Sequence, residues 1–161
     1  MVLATFTLAT TLMAHNTMSV PMNKMPMLKI SRVAQLDNLD KGDALGADDA
    51  DFYANVTING KLTKTEAYSE DDAKPNWMIP LDTKKRYNKI KIAVWDDDGG
   101  LERSDDHADI HPAKGKKDIS FTYDRYTGRL WGDVDGSFGQ TIVSIGGGDD
   151  DVARIELSIV K

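Results

Sequence analysis

From Leu28 to Lys161 the chain carries no apolar stripe of helical period longer than about two turns. In its place stand short apolar runs, rich in β-branched and aromatic residues and parted by clusters of Asp, Gly, Asn and Lys. That is the pattern of strands and turns. The runs predict eight strands: Leu28 to Leu36, Phe52 to Ile58, Leu62 to Tyr68, Trp77 to Leu81, Ile90 to Trp95, Ile119 to Tyr123, Thr141 to Ile145 and Val152 to Val160. Alternation is plainest in Ile90-Lys-Ile-Ala-Val94 and Ile155-Glu-Leu-Ser-Ile159, where every second side chain is apolar and would face a core. Asn59-Gly60 and Thr127-Gly128 predict tight turns. The expected fold class is all-β, an antiparallel sandwich or barrel.

The acidic residues agree. Of 26 acids, 22 are Asp and only Glu66, Glu70, Glu102 and Glu156 are Glu. Helical proteins favour Glu on their exposed faces, whereas Asp belongs to caps, turns and metal-binding loops. A length of 161 residues suits one domain. The net charge of −6 argues against a general nucleic-acid binder, which needs a positive face to displace phosphate counterions. The absence of Cys excludes a disulfide framework, a thiolate zinc site, a Cys nucleophile and an iron–sulfur cluster.

Residues 1–27 form a separate region, with six of the seven Met, no acid and Lys24 as the only basic side chain. Val2 to Ala14 has the length of a signal-peptide core and is too short for a transmembrane helix, which needs about 20 apolar residues. Three readings stand: a secretion signal that is cleaved, a disordered leader, or a mis-set start codon. An exported domain would be secreted or periplasmic; otherwise it is cytoplasmic or peripheral at a membrane. The single folded domain is expected over residues 28–161.

Twelve of the 22 Asp fall in two loops. Asp37, Asp40, Asp43, Asp48, Asp49 and Asp51 lie between the first two expected strands; Asp96, Asp97, Asp98, Asp105, Asp106 and Asp109 follow the strand ending at Trp95. If the loops meet at one end of a sandwich, carboxylates about 5 Å apart repel by roughly 3 kcal/mol at an effective dielectric of 20. A cation would neutralise them. Ca²⁺ takes six to eight hard oxygen ligands in flexible geometry, as such loops supply, whereas Mg²⁺ demands a tighter octahedron. An EF-hand is excluded, because Gly99-Gly100 replaces its third ligand and no Glu stands at its last position. Gly146-Gly-Gly-Asp-Asp-Asp151 occurs once, without the repeat of a calcium-binding β-roll, and reads as a loop.

These residues also resemble a family. Leu28-Lys-Ile-Ser-Arg-Val-Ala-Gln-Leu36, the Asp-rich loop and Asp51-Phe-Tyr-Ala-Asn-Val-Thr-Ile-Asn-Gly60 are similar to the first calcium-loop region of a C2 domain. Lys74-Pro75-Asn76-Trp77 resembles the Asn-Pro-x-Trp segment of that family in shuffled form, and Val94-Trp95-Asp96-Asp97-Asp98 resembles its Val-x-Asp-x-Asp third loop. Phe52 stands where the family commonly has Pro. The resemblance runs over about residues 28 to 110. It implies an eight-stranded antiparallel β-sandwich that holds Ca²⁺ between apical loops and docks on phospholipid. With the motif on the first strand, the permuted topology is the natural form, Val152 to Val160 being the added C-terminal strand. The ligands it implies are Asp51, Asp96 and Asp98, then Asp105 in preference to Asp106, with Asp43 or Asp40 from the first loop.

Membrane docking would use Leu45 and Leu101 as apolar loop tips, Arg103 on a lipid phosphate, and the basic stretch Lys84, Lys85, Arg86, Lys89 and Lys91 near an anionic surface. The competing expectation is a calcium-stabilised structural or adhesion domain, exported and without a lipid role. Partners are thus calcium and either anionic phospholipid or a protein. Catalysis is not expected: there is no P-loop, no Gly-x-Ser-x-Gly and no HExxH, and His107 and His111 read as loop residues. Asp133-Val-Asp135-Gly136 reads as a turn rather than a second cation site.

Overall fold

The computed structural model describes residues 25–37, 49–97 and 105–161. Thirteen strands and no helix occur among them: β1 (Met27–Gln35), β2 (Asp51–Ile58), β3 (Lys61–Lys64), β4 (Tyr68–Ser69), β5 (Asp72–Ala73), β6 (Trp77–Pro80), β7 (Tyr87–Asp96), β8 (Asp106–Ala108), β9 (Ile119–Asp124), β10 (Arg129–Gly132), β11 (Gly136–Ser137), β12 (Ile142–Ile145) and β13 (Ala153–Val160). All eight expected strands are present, the third split into β3 and β4. The remaining four are short pieces without an alternating apolar pattern.

Two antiparallel sheets face each other. One has the order β12-β13-β1, with β5 and β6 side by side along the far edge of β1. The other has the order β11-β10-β9-β7-β2-β3, with β8 continuing β9's side of β7 and β4 continuing β3's side of β2. β13 lies between β12 and β1 and buries Ile155, Leu157 and Ile159. Against them pack Phe52, Ala54, Val56, Ile90, Ile92, Val94, Ile119, Phe121 and Tyr123 from the second sheet, so one core joins both layers.

A bulge in β1 decides how that strand works at its two ends. The pairing with β13 shifts register between Ile30 and Arg32. The shift moves the inward phase from Leu28 and Ile30 to Val33. Arg32 is thereby turned outward, where it meets Asp72 and, at 3.1 Å, Glu156. Asn59 and Gly60 both have positive φ (53° and 88°), as a two-residue hairpin turn of this twist demands, and join β2 to β3. Gly128, with φ 73°, turns the chain from β9 to β10.

Opposite the ends of β1 and β7 that carry the acidic loops, the 82–86 and 124–128 turns are bonded together. Arg125 N–H donates to the Arg86 carbonyl at 2.9 Å. The Asp124 carboxylate accepts Arg86 Nε at 3.1 Å and Nη2 at 2.9 Å, and the Tyr126 N–H at 2.9 Å. Arg86, aided by that amide, holds the Asp124 carboxyl down at about 2, against an ordinary 3.8. The fold therefore favours the charged form, and this stabilisation is complete above the unfolded pKa and lost as pH falls through the folded one. Asp124→Asn should flatten the stability profile between about pH 4 and pH 2. At neutral pH it should cost about 1–2 kcal/mol, after discounting for the exposed guanidinium. Urea denaturation at a series of pH values measures both.

Candidate metal centre at the acidic apex

Strand direction sets the strand ends that bound the two acidic loops at one end of the sandwich. β1 ends where β13 begins (Gln35 opposite Ala153), and β2 begins where β7 ends and β8 begins (Phe52 opposite Asp96, Asp96 opposite Asp106). The loop after β1, the loop after β7 and the 146–151 loop thus leave one end of the sandwich. The sequence-predicted ligands Asp51, Asp96, Asp105 and Asp106 sit at this apex on adjoining strands or their margins. Asp40, Asp43 and Asp98, and with them Leu45, Leu101 and Arg103, lie outside the described residues.

Asp96 shares the inward register of Ile90, Ile92 and Val94 and is 2% exposed, so its charge stands at the top of the core. Its Oδ1 accepts the Asp51 N–H at 2.6 Å, while Asp97 N–H donates to the Asp51 carbonyl at 3.0 Å. These bonds fasten the start of β2 to the end of β7. Asp105 accepts the Tyr53 hydroxyl at 2.5 Å, and Lys64 stands 3.6 Å from the centre of the Tyr53 ring. Burial first, and then the Asp105 carboxylate, push the Tyr53 phenol well above its ordinary range, so it remains a donor at any physiological pH.

Asp71 is an apical carboxylate that spacing in the chain does not reveal. Its carbonyl accepts Gln35 N–H from one sheet at 2.8 Å, and its carboxylate accepts Ala50 N–H, just before β2 of the other sheet, at 3.2 Å. In sequence it lies outside both acidic clusters. The pairing of β5 with β1 carries it to the apex, so it is part of the site's surroundings and not a remote residue.

Other acids at this end have partners of their own. Asp37 accepts Val152 N–H at 2.6 Å. Both oxygens of buried Asp109 accept backbone amides, from His111 at 2.9 Å and Gly148 at 2.8 Å. Asp149 is paired with Lys114, and Asp151 with Lys117 at 2.7 Å, so the Gly-Gly-Gly-Asp-Asp-Asp segment is tied by lysines and packing. The His107 ring stacks on Trp95 at 4.1 Å, with Nε2 2.7 Å from Asp118. His111 Nδ1 accepts Ala113 N–H, which puts the proton on Nε2, 3.3 Å from Asp133. Burial pushes the Asp133 carboxyl up, but the Ser120 amide and His111 outweigh it and hold the group below its usual range. Asp133 thus serves its turn.

Among the described residues no three carboxylates or imidazoles gather closely enough to hold an ion. The carboxylates of Asp51, Asp96, Asp105 and Asp106 are hard oxygen donors of the chemical kind Ca²⁺ takes.

The basic stretch is divided. Lys84, Lys85 and Arg86 lie in the turn before β7, at the base of the sandwich and about 30 Å from the apex at the usual rise per residue. Lys89 and Lys91 project outward from β7, and Lys91 pairs with Asp118 at 2.7 Å.

No family model and no curated protein matches the chain. Solved structures that it is similar to include human GIVD cytosolic phospholipase A2, at 14% identity and a TM-score of 0.44 over 85% of this chain and 16% of that one. The same human enzyme in complex with methyl gamma-linolenyl fluorophosphonate aligns at 14% identity and a TM-score of 0.43, over 85% of this chain and 17% of that one. The chain thus spans about a sixth of the length of the structures it matches.

Proposed function

We propose that the chain is a calcium-binding module of C2-like type, a binding domain rather than an enzyme, which takes Ca²⁺ between its two acidic apical loops and docks there on phospholipid. The observation that carries this reading is that the strand ends bounding the two acidic loops lie at one end of the sandwich, with Asp51, Asp96, Asp105 and Asp106 there. Like charges gathered there repel, and a divalent ion removes the repulsion while bridging the loops. Asp51, Asp96, Asp98 and Asp105, with Asp43 or Asp40, are the ligands in this reading; Leu45 and Leu101 enter the lipid interface and Arg103 meets a phosphate. Sedimentation with phosphatidylserine–phosphatidylcholine vesicles tests it. Binding in millimolar Ca²⁺ and its loss in chelator are expected, and equal sedimentation in both would overturn the calcium-dependent docking.

The second reading, a calcium-stabilised structural or adhesion domain, draws on the Asp96–Asp51 bond. An ion placed beside a carboxylate that already fastens two strand ends stiffens the apex whether or not a membrane is present. Calcium binding without sedimentation would select it.

A further inference from the structure

The base of the sandwich carries a feature that the apical reading leaves unused. Tyr87, Tyr126 and Trp131 are 46%, 58% and 37% exposed, yet they stand together. Trp131 meets Tyr87 edge-on at 6.0 Å, and the Arg86 guanidinium lies between Tyr87 at 4.8 Å and Tyr126 at 5.2 Å. Arg125 stands 5.7 Å from the Tyr126 ring centre. The result is a ladder in the order Trp131, Tyr87, Arg86, Tyr126, Arg125. Its middle rung is fixed by the two bonds from Arg86 to Asp124.

We propose that this ladder is a docking surface for an acidic polypeptide segment of a partner protein. Trp, Tyr and Arg are the residues that dominate binding energy at protein interfaces, and side chains already held by one another lose little freedom on binding. The local charge selects the partner. Lys84 and Lys85, exposed in the same basal turn as Arg86 and among the described residues in no ion pair, precede the ladder's Arg86 in the chain and add positive charge at this end of a chain whose net charge is −6. An acidic segment sets carboxylates on Arg125 and the lysines and lays its apolar side chains on Tyr126 and Trp131. A long polyanion such as duplex nucleic acid meets the repulsion of the whole chain. A bilayer laid on the ladder turns the acidic apex away from it.

The test uses fluorescence anisotropy of a short labelled peptide that alternates Asp and Glu with Leu and Tyr. It is run in chelator, so that apical calcium plays no part, beside phosphatidylserine vesicles as a second probe. The peptide should bind, and more weakly as salt rises to about 0.3 M. Tyr126→Ala and Lys84→Glu should each weaken it about tenfold, whereas Ile145→Ala, exposed on β12 of the other sheet at the apical end, should leave it unchanged. Lys84→Glu alters a surface turn and keeps the test valid if an aromatic variant fails to fold. The proposal is overturned by absence of peptide binding, by variants that bind like the parent, or by vesicle binding without peptide binding that the same variants abolish.

Discussion

Calcium at a hundred times its dissociation constant is expected to raise the thermal midpoint of this protein by about 5–10 °C, and chelator to reverse the shift. Binding to the folded state alone contributes about 2.7 kcal/mol at that excess. For a chain of this length each kcal/mol moves the midpoint by about 2–4 °C. Asp96→Asn should remove most of the shift. The choice of Asn matters, because its side-chain oxygen still accepts the Asp51 N–H and only the charge is lost. In chelator the same variant should be as stable as the parent or slightly more so, since one repelling charge has gone. Asp82→Asn is the proper control: Asp82 lies in the basal turn, where its Oδ1 accepts Lys84 N–H. Asp71 is not suitable for that purpose, despite its position outside the acidic clusters, because its carboxylate reaches Ala50 at the apex. Differential scanning fluorimetry with Ca²⁺, Mg²⁺ and chelator reads all three. Equal shifts for the parent and Asp96→Asn would show general charge screening and would dispose of the apical site.

Gly147→Ala should destabilise the domain by about 3–5 kcal/mol, the range of severe backbone and packing faults. A Cβ at Gly147 would stand 2.1 Å from the Pro112 carbonyl oxygen, and one at Gly146 would stand 2.2 Å from that of Asp109. Both obstacles are backbone and cannot swing aside. They belong to the segment that leaves β8 and crosses to the other sheet, where Ala153 N–H donates to the Asp109 carbonyl at 2.8 Å and Gly147 N–H to that of His111 at 2.8 Å. The crossing ties the second acidic loop to the start of β13, so its loss should also loosen the apex. Gly139→Ala gives the contrast: with φ 79° but open space around it, it should cost only about 1 kcal/mol. Urea denaturation compares the two, and equal losses would mean that the close crossing contributes nothing.

The strands legible in the chain were those whose side chains alternate or run apolar, because burial on one or both faces leaves that mark. β7 and β13 are of this kind. β5 has two residues, Asp72 and Ala73, and β8 reads Asp-His-Ala, so neither carries an apolar pattern. They are strands because neighbouring backbones offer them hydrogen bonds, which a side-chain pattern does not record. The β1 bulge was hidden for a related reason: Leu28 and Ile30 suggest one inward phase, and only pairing with β13 shows the change before Val33. The glycine run before Asp149 reads in sequence only as a loop, whereas its first two glycines are there because another backbone passes within contact distance.

What the chain alone determined was the all-β class, an antiparallel sandwich or barrel, and the grouping of Asp in two loops, since alternation, turn residues and composition are local and survive in one dimension. Tertiary structure decided where those charges go. Strand order placed Asp51, Asp96, Asp105, Asp106 and Asp71 at one end, drew Asp109, Asp149 and Asp151 into bonds with amides and lysines, and carried Lys84, Lys85 and Arg86 to the other end, where Arg86 stands between two exposed tyrosine rings. A carboxylate's partner depends on distance in space, and residues as far apart as Asp37 and Val152 become neighbours only when the sheets close.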